Sequence, residues 1–306
     1  MAAIVSFGHY LPDRILGNAE LAQLLQCDAD WIMHSSGIEE RRIARPDETV
    51  ADLAIAAARG VQSNPGLVIV SSGSAERRFP GPAAQVANAL GLSGIPAIDL
   101  PLASAGSLFA MALAAQLAPL YGEVLVVAAE KMSGPALAAP LDKKVGILFG
   151  DGAGACVISN TAAGLQIVDS VMHSDGSYAD DLRLEFNGPV QMNGRSVIMQ
   201  ASRKIPSAIE EILLRNKVAA GSIRVFLLHQ ANQNLMDRVA KSAGVPAARF
   251  YSNIRRFGNT SSASMLIAAS EWTEANPLNE GDTLCFAAFG AGYHWGALLA
   301  RQSRHS

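Results

Sequence analysis

One stretch, residues 96 to 120, limits what this chain can fold into. Pro96-Ala97-Ile98-Asp99-Leu100 is short and apolar, Leu102 to Ser107 is built of small residues, and Leu108 to Leu120 has almost no polar side chain. Five such residues ending in small ones predict a buried strand, and a long Ala- and Leu-rich run predicts a helix buried on every side. The junction puts Ser104 at the entrance of that helix, where free backbone N–H groups and the positive end of the dipole gather. Serine is also a preferred helix N-cap. Ser104 and Ser107 therefore fit two readings, a strand-to-helix nucleophile or a group that only satisfies backbone donors.

Composition excludes several classes. The chain has 306 residues, half of them hydrophobic, and a formal charge of -3. That length can bury one large core or two ordinary ones. Without basic clusters, nucleic acid is not the expected partner. Cys27, Cys156 and Cys285 are far apart and show no metal-ligand spacing, which predicts reduced core thiols and a cytoplasmic protein. No apolar run reaches the roughly 18 residues that would span a bilayer, and the N-terminus meets Pro12-Asp13-Arg14 too soon for a secretory signal.

Periodicity predicts a strand over 3–7, a helix from Asn18 to about Gln26 with Asn18 as cap, and a charged, exposed segment at Gly37 to Arg42. A helix over 49–61, a strand at Leu67 to Val70, a helix over 80–90 and a strand at Val124 to Ala128 follow. This alternation implies an α/β protein with parallel sheets covered by helices. The second part echoes the first. Glu123 to Ala129 is matched by Asp282 to Ala288, Phe149-Gly150-Asp151-Gly152 by Phe289-Gly290-Ala291-Gly292, and the junction at Ser104 by Val225 to Asn232. Three echoes in one order predict two similar halves, 1–160 and 161–306.

Related halves would bring Ser104 and His229 face to face at equivalent strand ends, where ligands collect in such sheets. Asn259, in the loop Asn253 to Ser262 before the helix over 263–271, is placed to donate a hydrogen bond at a helix entrance. A structural histidine and a turn asparagine fit those positions as well.

The order His229-Gln230-Ala231-Asn232, Gly258-Asn259-Thr260-Ser261 and Gly281-Asp282 to Trp295-Gly296 resembles the β-ketoacyl-carrier-protein synthase III group of the thiolase superfamily. Tyr10-Leu11-Pro12, Trp31-Ile32, Pro46-Asp47-Glu48-Thr49, Phe149 to Gly154 and Asp175-Gly176-Ser177-Tyr178 carry the resemblance along the chain. It implies a five-layered α/β/α/β/α subunit, a homodimer and no cofactor, with acyl-coenzyme A and acyl carrier protein as partners. His229 and Asn259 become the pair that hydrogen-bonds the thioester carbonyl of a decarboxylating malonyl group. Trp31 matches the residue that stacks on the adenine of coenzyme A, Lys143 stands where a second arginine is usual, and Asn232 belongs to the same substrate-binding set. Phe149 and Leu182 match residues lining the acyl site.

Two departures stand out. The family's nucleophilic cysteine falls on Ser104, and the arginine that sandwiches adenine falls on Ser35. A thiol of pKa about 8.5 needs only about 2 kcal/mol to ionise near neutrality, whereas an alcohol approaching the pKa of water, about 15.7, needs about 12. A helix dipole supplies the first and not the second. Ser104 then has to lose its proton to a base as it attacks, with His229 as that base and Asp237 as a carboxylate to orient it. Three functions follow: a condensing synthase that loads a starter unit, an acyltransferase to an alcohol, amine or thiol, and a non-acylating subunit of a heterodimer.

Overall fold

The computed structural model describes residues 2–161 and 163–303. From the N-terminus the chain runs β1 (Ala3–Tyr10), β2 (Arg14–Gly17), α1 (Asn18–Leu25), α2 (Ala29–Ser36), β3 (Glu40–Ile43), α3 (Val50–Arg59), β4 (Leu67–Ser71) and α4 (Pro82–Ala89). Next come β5 (Ala97–Leu100), α5 (Gly106–Tyr121), β6 (Glu123–Lys131), α6 (Ser133–Ala136), α7 (Lys143–Gly146) and β7 (Asp151–Ser159). It continues with β8 (Leu165–Ser174), β9 (Leu182–Leu184), β10 (Val190–Met192), α8 (Gly194–Arg215), β11 (Val225–Leu228) and α9 (Gln233–Ser242). The last elements are α10 (Ile254–Phe257), α11 (Ser264–Ala275), β12 (Thr283–Gly290) and β13 (His294–Gln302).

Nine strands hydrogen-bond in the order β11-β12-β13-β8-β1-β7-β6-β4-β5. The β1–β8 junction is brief, Ala3 facing Gln166 and Ile4 facing Leu165. On either side of it the strands form two leaves, and α5 and α11 lie between them. Helix α5 touches β4, β6 and β7 of one leaf and β8, β12 and β13 of the other, while α11 touches β1, β7 and β11. Helix α3 covers the outer side of β1, β6 and β7, and α8, backed by α9, covers β8, β12 and β13. Helix, sheet, helix pair, sheet and helix make the five layers that the resemblance implied.

Four local expectations need correction. The sheet is mixed: among the described strands only β4 with β5 and β6, and β11 with β12, pair in parallel. Strands such as β12 and β13 return through a short turn instead of a crossover helix, so they pair antiparallel. Strand β5 is an edge, bonded to β4 alone, and its Ile98 is exposed. The far end of α5 reaches solvent through Leu113, Leu120 and Tyr121. Asn18 is not a cap, because Gly17 precedes α1 and the Asn18 side chain donates to the Ile38 carbonyl (2.7 Å).

The charged segment after Gly37 is not wholly exposed either. Arg41 is fully buried, its guanidinium donating to the carbonyls of Leu16 (3.2 Å) and Ile147 (2.9 Å) and to Asn18 Oδ1 (2.9 Å). Burial lowers its pKa to about 10, so it remains a cation. Its stem packs on two glycines: a Cβ at Gly150 or Gly258 would lie 2.9 or 3.1 Å from Arg41 Cβ, and Gly258 has φ +66°. Arg41 thereby seats the loop that carries Asn259.

Candidate active site

Ser104 stands at the centre of a three-residue turn closed by Ala105 N–H on the Ala103 carbonyl (2.7 Å). Its φ of +61° is left-handed, a conformation that costs a residue with a Cβ about 1–2 kcal/mol. Two contacts hold it there. The Ser104 N–H donates to Ser261 Oγ (3.0 Å), and Gly290 lies so close that a Cβ on it would sit 2.3 Å from the Ala103 oxygen and 3.0 Å from Ser104 Cβ. The capping alternative fails, since Ala105 precedes α5 and no side chain caps it. Ser107 is buried with its hydroxyl unpartnered.

His229 directly follows β11, where its N–H bonds the Ala287 carbonyl (3.0 Å) and prolongs the pairing with β12. Its Nδ1 lies 2.7 Å from Ser264 Oγ. Burial drops the imidazole pKa to about 4, so the ring is neutral at physiological pH. The carboxylate assigned to orient it is elsewhere: Asp237 accepts from its own helix neighbour Gln233 (2.8 Å) on an exposed face. A serine hydroxyl does that work instead.

Asn259 is held by its backbone, N–H to the Leu148 carbonyl (2.9 Å) and carbonyl from Gly150 N–H (3.1 Å), a bridge beside Phe149. Its Oδ1 accepts from Ser261 N–H (2.9 Å), which fixes the amide orientation and leaves Nδ2 as the free donor. Ser104 Oγ, His229 Nε2 and Asn259 Nδ2 have no hydrogen-bond partner among the described residues, and none of the three is sealed from solvent. Their residues are 5–7% exposed, so each keeps one unused polar atom in a nearly buried setting.

What joins them is Ser261, which sequence reasoning missed. Its hydroxyl accepts from Ser104, its N–H holds Asn259, and its carbonyl accepts from the Ser264 hydroxyl (2.9 Å) that contacts His229. Ser261 is itself left-handed, φ +47°. Its Oγ donates to Glu130 Oε1 (2.9 Å), a fully buried carboxylate that also accepts from Ser74 (2.6 Å), Ser262 (2.7 Å) and Gly73 N–H (3.1 Å). The available signals were the serine-rich run after Asn259 and a lone Glu ending an apolar strand.

Trp31, on α2, is 37% exposed, and Lys143 reaches the Gln26 carbonyl (2.8 Å) three residues before that helix. Asn232 is committed within the protein: Oδ1 caps α9 and Nδ2 donates to the Ser35 carbonyl (2.9 Å). It fastens α9 to α2 with one Nδ2 hydrogen and one Oδ1 lone pair. Phe149 is buried with Met132, Ala136, Val145 and Val190, and Leu182 packs on this apolar group. A cleft of about 640 Å³, lined by Ser72 to Arg78, Leu184 and Phe186, borders the Glu130 network through Ser72, Gly73 and Ser74, and neither Ser104, His229 nor Asn259 lines it.

Comparison with known proteins gives one answer. The family 3-Oxoacyl-[acyl-carrier-protein (ACP)] synthase III matches residues 98–176, and its C terminal part matches residues 213–302. The beta-ketoacyl-[acyl-carrier-protein] synthase III of Oleidesulfovibrio alaskensis is 33% identical, over 97% of this chain and 98% of that one. Among solved structures, the 3-oxoacyl-[acyl-carrier-protein] synthase III of Aquifex aeolicus superposes with a TM-score of 0.93 at 31% identity, covering 98% of this chain and 100% of that one. The priming β-ketosynthase of the R1128 polyketide pathway gives a TM-score of 0.91 at 28% identity, covering 100% and 97%.

Proposed function

This chain belongs to the 3-oxoacyl-[acyl-carrier-protein] synthase III family, and from that premise we propose an acyltransferase that loads a starter acyl group onto Ser104 and passes it to malonyl-carrier protein. The donor is a thioester of coenzyme A or of a carrier protein, which arrives already activated, so no resident cofactor is needed. Ser104 Oγ attacks the thioester carbon while His229 takes the hydroxyl proton and returns it to the departing thiolate. The malonyl thioester then loses carbon dioxide, its enolate carbon attacks the acyl-serine, and the Ser104 oxygen leaves, taking up a proton from solvent as the β-ketoacyl product forms. Trp31 and Lys143 flank the donor's entry, and the apolar group around Phe149 receives the acyl chain.

The observation that carries this reading is the convergence on Ser261 of the three residues the sequence singled out, each with one polar atom unused. The working unit is proposed to be a homodimer in the cytoplasm; the unpaired edge of β5 and its exposed Ile98 support the dimer. Among the described residues no helix is long and apolar enough to cross a membrane.

Intact-protein mass spectrometry with a panel of acyl thioesters tests the scheme. Wild type should gain one acyl mass that Ser104→Ala does not, and malonyl-carrier protein should discharge it with release of carbon dioxide. Equal labelling of both proteins would remove Ser104 from the mechanism. Discharge by an alcohol or amine, but not by malonyl-carrier protein, would replace the condensing step with simple transfer.

A further inference from the structure

Three groups meet at the Ser264 hydroxyl. The Gln230 backbone N–H, 3.0 Å away, can only donate; the Ser261 carbonyl, 2.9 Å away, can only accept; His229 Nδ1, 2.7 Å away, can do either. A hydroxyl has one hydrogen and two lone pairs. The carbonyl takes the hydrogen, so both lone pairs face N–H groups and Nδ1 carries a proton. A neutral imidazole has one N–H, which leaves Nε2 as a bare lone pair.

Asn259 has the opposite polarity. Its Oδ1 is occupied by Ser261 N–H, so the end it presents is the Nδ2 donor.

We propose that Ser264 is a positioning residue that holds His229 in the Nδ1–H tautomer, dividing the labour of the pair: Nε2 accepts the Ser104 proton, and Asn259 Nδ2 alone donates to the thioester oxygen. The division rests on the acyl-transfer reading above, whereas the tautomer does not. It differs from the expectation that both side chains donate, and it suits a nucleophile that has a proton to lose. An alcohol needs a lone pair aimed at it before it needs a second donor. The counting that protonates Nδ1 uses only the hydroxyl's three neighbours, none of which belongs to a substrate.

Long-range proton–nitrogen NMR on protein labelled with nitrogen-15 histidine decides it, His229 being assigned by its loss in His229→Asn. Wild type at neutral pH should show a protonated Nδ1 and an unprotonated Nε2. Ser264→Ala should lose that pattern and acylate Ser104 about tenfold more slowly at an unchanged donor KM, and Ser264→Thr, which keeps the hydroxyl, should restore both. A wild-type spectrum with Nε2 protonated overturns the assignment whatever the variants do. So does a Ser264→Ala protein with the wild-type tautomer and rate. If Ser104 takes up no acyl group from any donor, the acyl-transfer reading falls while the spectra still decide the role of Ser264.

Discussion

At the scale of single residues the proposed nucleophile, Ser104, is an alcohol at the position where the resemblance leads one to expect a thiol. Its proton sets the demand on His229, whose burial holds the ring neutral down to a pKa of about 4. A depressed histidine pKa means the basic form is lost only as pH falls through that value. Acylation of wild type should therefore be level from pH 8 to 6 and decline only toward pH 4. In Ser104→Cys the nucleophile can ionise by itself, its pKa lowered from about 8.5 toward neutrality by the helix entrance, so the rate should instead rise as pH climbs through about 7. Replacing His229 by Asn should slow the serine enzyme by about 10²- to 10⁴-fold and the cysteine variant by less than about tenfold. Acylation rates read by intact mass across pH would show this, and equal losses in the two backgrounds would refute it. Ser104, His229 and Asn259 could be picked out in the chain because each sits at a strand end or helix entrance. Glu130 and Ser264 could not, because what makes them matter is a partner more than thirty residues away.

At the scale of elements, the turn that presents Ser104 depends on β12 as much as on β5. Gly290 ends β12 against that turn. Gly290→Ala would drive a methyl group into the Ala103 carbonyl, so the turn must shift. We expect acylation to fall at least about tenfold, with about 1–3 kcal/mol lost in chemical denaturation, as overpacking of a tight site commonly costs. Wild-type acylation in that variant would show the turn to be slack. The chain's glycine echo marked Gly290 without its reason, which is a contact between remote segments. The order of strands and helices was readable because period and length carry it. Two elements misled for one cause: local pattern reports apolarity and charge, not neighbours. Thus β5 looked buried although one edge is unpaired, and Arg41 looked solvated although three remote oxygens surround it.

At the scale of the molecule, the open edge of β5 and its exposed Ile98 are where a second copy would extend the sheet. Ile98→Lys should shift the protein from dimer to monomer in sedimentation velocity, while a wild-type protein that sediments as a monomer would remove the homodimer from the proposal. The two leaves pair where β1 meets β8, and are joined further by α5, α11 and the Glu130–Ser261 contact. Ser261 therefore makes the site tolerant of displacement and intolerant of replacement. A drift of its loop would carry the Ser104 amide, the Asn259 carboxamide and the His229 anchor along together, whereas exchange of that one small side chain would set the three adrift from one another.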